Sequence, residues 1–403
     1  MLKRELYLSR IRAYYDSQDF IKIISGVRRS GKSTLMGQII AELEEQGEGE
    51  KILQLNLEDY RWAEYLDYPG RFHQEIKDLI VEKRAFYVFI DEIQRLEDFQ
   101  RVIASLKALL PISLFVTGSN SQLLSGELAT HLVGRTLDYT IMPFTYGEAK
   151  QYCAQLGRDL PLEEYLKWGG IPQRFLLTHE SEIRSFLGNL LQSIITRDVW
   201  PSRMIRQRDL FYNVLSFIMG ESGSTISTKS IAGYVRSRDE SATVQTIYSY
   251  IAEMESAYLI QKVSRFDIAG KKALSTLSKY YAIDPAFITL HRGGRDDLQS
   301  RPLETVVHNE LVARGYEVYI GKTTRGEVDF IVKDGSGRCY IQVAYLLSSE
   351  ETVKREFSAF ASIKDNWPRY VLSLDRLNFS RDGITHYNLE DFLLGKVSLS
   401  FGG

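Results

Sequence analysis

Residues 26 to 33, Gly26-Val27-Arg28-Arg29-Ser30-Gly31-Lys32-Ser33, spell a complete GxxxxGK[ST] phosphate-binding loop with suitable flanks. An apolar run, Phe20-Ile21-Lys22-Ile23-Ile24, precedes it as a strand. Leu35, Ile39, Ile40 and Leu43 then recur on one face of a helix. Strand, loop and helix in that order is the context in which the motif works. Its glycines let backbone N–H groups close around a phosphate, while Lys32 reaches the β- and γ-phosphates and Ser33 offers a hydroxyl to Mg²⁺. The helix start, continuing through Thr34, adds partial positive charge beneath the anion. The run from Gly26 to Thr34 is therefore the candidate nucleotide cradle.

A second motif fits the first. Phe86-Tyr87-Val88-Phe89-Ile90 has the unbroken apolar pattern of a strand buried in a parallel sheet, and it ends in Asp91-Glu92. Charges at the carboxyl end of such a strand lie where open α/β sheets bind ligands. Asp91, with Ser33, is the metal candidate, and Glu92 is placed to polarise the attacking water as general base. A carboxylate beside the metal aspartate suits hydrolysis better than transfer to a small molecule. An acidic strand-to-helix turn is the plainer reading, and the loop upstream weighs against it.

Composition narrows the class. At 403 residues the chain should split into two or three domains, and 44% hydrophobic with 25% charged residues is a soluble, globular balance. A formal net charge of −2 gives no global footprint for nucleic acid, so such binding has to come from local patches. No apolar stretch has the length of a membrane span, and the N-terminus lacks a signal-peptide core. Cys153 and Cys339 stand isolated, as free thiols in a reducing compartment do. These features lead to the expectation of a cytoplasmic protein without a membrane partner.

Residues 1–144 read as a parallel α/β domain, with a short lead-in helix and strands near 20–25, 51–57, 86–90, 112–117 and 137–142. The fourth strand runs into Thr117-Gly118-Ser119-Asn120. Asn120 is there either a sensor for the γ-phosphate and its water or part of a turn capping the next helix. Arg135 precedes the fifth strand at the domain edge. It is placed either to reach a neighbouring subunit's nucleotide or to fix its own loop through a carboxylate.

Residues 145–205 read as a small helical lid, with Arg174 and Arg197 as candidate lid arginines and a break at Trp168-Gly169-Gly170-Ile171-Pro172. Residues 206–283 suggest a winged helix, with helices at Phe211–Met219, Ser227–Val235 and from Val244, then a hairpin tipped by Gly270-Lys271-Lys272. Gln245 would face a groove, while Arg236, Arg238, Lys271 and Lys272 would meet phosphates. A protein-docking winged helix with a solvated hairpin is the alternative.

Residues 284–403 carry Glu304 and Glu310 on a helix, Asp329 on one strand and Gln342-Val343-Ala344 on the next. Residues two apart share a sheet face, so this is the layout of a PD-(D/E)xK metal nuclease core. Gln342 replaces the second acidic ligand and Ala344 replaces the lysine. An amide is a poor Mg²⁺ ligand and a methyl does no acid–base work, so Glu304, Glu310, Asp329 and Gln342 read as a degenerate site.

Gly-Val-Arg-Arg-Ser-Gly-Lys-Ser, Phe-Ile-Asp-Glu-Ile-Gln, Val-Thr-Gly-Ser-Asn-Ser and Leu-Val-Gly-Arg up to Pro143-Phe144 together resemble a prokaryotic family of AAA-type ATPases. That family has a helical lid, a winged helix and a C-terminal restriction-endonuclease-like domain. The resemblance implies an α/β P-loop fold, ATP hydrolysis with Mg²⁺, the roles given to Lys32, Ser33, Asp91 and Glu92, and assembly as a homo-oligomer. The first expectation is an ATPase that binds and remodels DNA, branched DNA included. The second is a nucleotide-dependent regulatory or defence switch docking a protein partner, and an ATP-dependent nuclease comes last.

Overall fold

A computed structural model describes residues 2–121, 134–202, 204–227, 230–231, 233–234, 243–268, 270, 272–291, 300–324 and 326–402. The chain divides into two compact units, Met1–Ile141 with Ser256–Tyr258, and Met142–Glu255 with Leu259–Gly403.

The first unit is built on five parallel strands: β1 (Ile21–Ser25), β2 (Ile52–Asn56), β3 (Tyr87–Asp91), β4 (Ser113–Gly118) and β5 (Thr136–Thr140). Their order is β2-β3-β4-β1-β5. β1, β3 and β4 are buried along their whole length because helices cover both faces. Alternation along each strand divides the side chains between two cores. Ile24, Phe89 and Phe115 pack with the buried faces of α1 (Glu5–Ile11) and α2 (Lys32–Glu45). Ile23, Val88, Ile90, Leu114 and Val116 pack with those of α3 (Pro69–Lys83) and α4 (Phe99–Leu109). Lys22 interrupts the apolar run of β1. Its buried ammonium donates to the Ser17 and Phe20 carbonyls and to Ser113 Oγ, and burial pushes its pKa down to about 7.

The second unit opens with α5 (Tyr146–Gln155), whose start is closed by a capping box of Thr145 and Glu148. α6 (Leu162–Trp168), α7 (Glu180–Ile194), α8 (Arg208–Gly220) and α9 (Val244–Ser256) follow. β6 (Thr225–Ile226), β7 (Ile260–Asp267) and β8 (Lys272–Ala282) come next in space. The chain continues through α10 (Pro285–His291), α11 (Ser300–Ala313), β9 (Glu317–Lys322), β10 (Glu327–Asp334) and β11 (Gly337–Val343). It ends with α12 (Glu350–Ser358), β12 (Arg369–Ser373), β13 (Ile384–Asn388) and α13 (Leu389–Leu393). All eight strands form one sheet in the order β13-β12-β11-β10-β9-β7-β8-β6. The segments expected as separate at 206–283 and 284–403 thus share a sheet, because β7 pairs in parallel with β9 and sets Arg265 opposite Ile320. Among the described residues no helix is long and apolar enough to cross a membrane.

The Gly169-Gly170 break is set by close approach. A Cβ on Gly170 would lie 2.0 Å from the Phe144 carbonyl oxygen, and one on Gly169, at φ +66°, would lie 1.6 Å from Asp284 Oδ1. Arg174 donates to the Gly169 carbonyl at 2.7 Å and pairs with Glu164 at 3.0 Å, so its guanidinium fastens this break. Arg197 is exposed in the single π turn after α7.

One buried acid gives the second unit a pH dependence. Burial pushes Glu310 up from 4.5 to about 7, with Arg314 opposing and Glu148 reinforcing the shift. Its folded pKa exceeds its unfolded one, so the native state holds the proton that the unfolded chain releases. The associated stability is fully present below about pH 4.5 and is lost as pH rises through about 7. We expect urea unfolding midpoints to fall between pH 5 and pH 8. Glu310→Gln should flatten that slope by on the order of 2–3 kcal/mol, and an unchanged slope would contradict the assignment.

Candidate nucleotide site and a second charged cluster

β4 lies between β1 and β3, so three strand tips bearing sequence motifs stand side by side. At about 4.8 Å between strands, the phosphate loop after β1 and the carboxylates after β3 are about 10 Å apart across the tip of β4. That gap suits a triphosphate.

The loop's backbone follows from close packing. Gly26 has φ +144°, and a Cβ there would meet the Ile141 carbonyl oxygen at 2.3 Å. Arg29 and Gly31 also have positive φ, at 65° and 100°, which curls the loop into the start of α2. Lys32 is buried and donates to the Gly26 and Val27 carbonyls at 3.1 and 3.2 Å. Ser33 and Thr34 are exposed on the first turn, while Arg28 lies 3.8 Å from Glu58. The Ser30 hydroxyl is buried without a hydrogen-bond partner, as a donor kept for a ligand would be.

At the opposite tip, Thr117 joins the two carboxylate residues. Its hydroxyl donates to Asp91 Oδ1 and accepts from the Glu92 N–H at 3.0 Å. Glu92 sits at φ +56°, which turns its side chain out of the strand direction. Its Oε2 accepts from Gln94 Nε2, which also donates to Ser119 Oγ at 3.2 Å. Asn120 accepts from Ser256 Oγ at 2.6 Å. Tyr258 donates to Ser25 Oγ, at the base of the loop, at 2.8 Å. The Ser33 hydroxyl and the Asp91 carboxylate are hard oxygen donors, the kind that Mg²⁺ takes together with phosphate oxygens.

Several of these contacts escape a reading of sequence alone. Arg4 is 1% exposed and donates to the Ser30 carbonyl at 3.0 Å. Its own N–H donates to Gln38, which also holds the Leu2 carbonyl. No motif marks Arg4. Thr117 and Ser119 were signalled only as small polar residues at a strand end, and Gln94 only as the letter after Asp-Glu-Ile.

Arg135 stands at the other end of the sheet. Its carbonyl accepts from Ile21 N–H at 2.9 Å, level with the start of β1, whereas the loop follows the end of β1. About 15 Å of strand separates the two, beyond one side chain's reach.

In the second unit, Glu304, Glu327 and Asp329 converge on Lys279. Its Nζ lies 2.9 Å from Glu304 Oε1, 2.9 Å from Glu327 Oε1 and 3.7 Å from Asp329 Oδ1. Tyr281 donates to Glu304 Oε1 at 2.7 Å. Burial alone lowers the Lys279 pKa, but the three carboxylates outweigh it and hold the value above that of an ordinary lysine. Burial and Glu304 push Asp329 up. Gln342 accepts from the Asp329 N–H at 3.3 Å and donates to Glu356 at 3.0 Å, and Ala344 lies in the apolar core.

Glu310 is not in this cluster. It lies six residues after Glu304, on another face of α11, and pairs with Arg314 at 2.8 Å. Lys322 and Lys333 are not in it either. Lys322 is exposed at the end of β9, and Lys333 stacks over Phe266 and Tyr319. Among the described residues no group of three or more His, Cys, Asp or Glu is arranged to hold a metal ion.

Of the expected nucleic-acid contacts, Gln245 is exposed on α9 beside Tyr248, with Ile247, Tyr250, Ile251 and Met254 buried behind them. Arg236, Arg238 and Lys271 lie outside the described residues, as do four of the nine residues of the expected helix at 227–235, of which residues 230, 231, 233 and 234 are helical. Lys272 pairs through its backbone with Asp267.

Strand order, loop and acidic tip together define an AAA-type ATPase domain, and residues 18–150 match the family model described as AAA domain. Residues 160–297 match a domain of unknown function (DUF8612). An uncharacterized protein of Haemophilus influenzae is 33% identical over 407 residues, covering 98% of this chain and 99% of that protein. An uncharacterized protein of Methanocaldococcus jannaschii is 30% identical over 389 residues, covering 92% of this chain and 83% of its own length. The chain belongs to the family of these two proteins. Among solved structures, Aeropyrum pernix ORC1 in complex with DNA matches 78% of this chain and 94% of its own at TM-score 0.33 and 15% identity. AMPPCP-bound DnaA from Aquifex aeolicus matches 62% and 87% at TM-score 0.33 and 12% identity. Scores this low carry no argument about function.

Proposed function

We propose that the chain is a Mg²⁺-dependent ATP hydrolase whose turnover serves DNA binding and remodelling by the second unit. The observation that supports hydrolysis is the Thr117 hydroxyl, which fixes Asp91 and Glu92 against one another across from the Lys32 loop. Loop N–H groups and Lys32 bind and orient the β- and γ-phosphates, while Glu92 takes a proton from the attacking water. Bound Mg²⁺, held by Ser33 and Asp91, would neutralise charge developing on the phosphates.

Arg135 supports action as an oligomer. Because it is out of reach of its own loop, any phosphate it meets belongs to another copy. Arg135→Ala and Lys32→Ala chains should each be inactive alone. Mixed, they should regain part of the wild-type rate, through sites that combine an intact loop with a neighbour's arginine. Absence of such complementation would make Arg135 a structural residue.

The DNA reading is supported by the exposed polar face of α9 and the basic hairpin tip that follows it. Backbone binding should weaken steeply between 50 and 200 mM salt, by about 10³-fold or more for six phosphate contacts. ATPase rate should rise with a preferred member of a panel of duplex, branched and single-stranded DNA. Salt-independent binding, or none, would favour the second reading, a nucleotide switch docking a protein partner, which the net charge of −2 supports. In either reading the cluster around Lys279 is structural and cleaves nothing.

A further inference from the structure

We propose that Gln94 is a positioning residue for the hydrolytic water. This rests on the ATPase reading above. Gln94 sits on the single turn Ile93–Arg95 that follows β3, beyond the strand tip that carries Asp91. A glutamine amide has two N–H donors and a carbonyl acceptor. Here both donors have partners, Glu92 Oε2 and Ser119 Oγ, whereas Oε1 is buried with no hydrogen-bond partner. A buried acceptor without a partner calls for a donor, and Gln94 differs from Gln173 and Gln261, whose Oε1 atoms are orphaned too, in being bonded to Glu92 at the tip of β3.

Oε1 and Nε2 belong to one rigid amide and Nε2 is already on the Glu92 carboxylate, so a donor that reaches Oε1 can also reach Glu92. A water has two O–H groups. One directed at Glu92 and the other at Gln94 Oε1 would leave an oxygen lone pair free for attack on a γ-phosphate. In the reaction that oxygen bonds to the γ-phosphorus as the bond to the β,γ-bridging oxygen breaks. The bridging oxygen leaves on ADP, and the water proton on the Glu92 side passes to Glu92. Ser119 sets the amide plane, and Thr117 sets Glu92, so the tip of β4 aligns both partners of the water.

The test is a kinetic cycle on the full chain: wild type, Gln94→Leu, Glu92→Gln and the double variant, each measured for kcat and KM with Mg·ATP. Gln94→Leu should lower kcat at least tenfold and change KM less than twofold. The double variant should be no more than about twofold slower than Glu92→Gln alone, because the two residues act on one water. Ser119→Ala, which leaves the amide in place without its anchor, should lower kcat by a smaller factor. A wild-type kcat in Gln94→Leu overturns the assignment and leaves the ATPase reading standing. So does a KM that rises in proportion to the loss of kcat, or a double variant slowed by the product of the single effects. If Gln94→Leu does not fold, an unchanged kcat in Ser119→Ala overturns it. A wild-type chain that hydrolyses no ATP removes the ATPase reading and this assignment together.

Discussion

Glu92→Gln should bind Mg·ATP within a few-fold of wild-type affinity and hydrolyse it about 10²–10⁴ times more slowly. The amide keeps the shape and the Gln94 and Thr117 contacts, since the Glu92 main-chain N–H is what Thr117 holds. What it loses is the basic oxygen. Lys32→Ala should do the opposite, losing affinity first, because the ammonium that now closes on the Gly26 and Val27 carbonyls has no replacement at the phosphates. Equilibrium binding with a fluorescent ATP analogue, alongside steady-state turnover, separates the two effects. Normal hydrolysis by Glu92→Gln would end the general-base assignment.

Lys279→Met should destabilise the second unit by about 3–5 kcal/mol, the usual consequence of removing one partner from a buried ionic group. The side chain is 5% exposed and lies among three carboxylates, of which, among the described residues, Glu327 alone pairs with a further cation, Arg265 at 3.5 Å. Removing the ammonium leaves like charges facing one another in a low dielectric. The loss should be read as a fall in the urea midpoint, and adding Glu304→Gln and Asp329→Asn should recover part of it. A loss below about 1 kcal/mol would mean that water or rearrangement already screens these charges.

The legible parts of the sequence were those governed by local periodicity. The five strands of the first unit and the helices α5 to α9 follow from apolar spacing and end signals, which act over a few residues. The phosphate loop and Asp91-Glu92 were legible because their chemistry is contiguous. Lys279 was not, because it reaches the carboxylates of α11 and β10 from a hairpin strand earlier in the chain, through a sheet whose strand order no spacing reveals. Ala344 stands where the expected layout has a lysine, but nothing in the sequence said which cation would neutralise the cluster. Glu310 was misplaced for a simpler reason. Six residues along a helix is 240° of rotation, so it could not share a face with Glu304. The merger of hairpin and C-terminal strands was hidden in the same way, because the β7–β9 pairing joins segments separated by two helices.

The proposed ATPase requires one convergence, of Lys32, Asp91 and Glu92 on a single nucleotide. A crystal or cryo-EM map of the Glu92→Gln chain with Mg·ATP tests it most directly. Lys32 Nζ should lie within about 3 Å of β- and γ-phosphate oxygens, with Ser33 and Asp91 around one Mg²⁺ and Gln94 facing the γ-phosphate. A nucleotide bound elsewhere, or one that touches Lys32 with its metal remote from Asp91, would contradict the account.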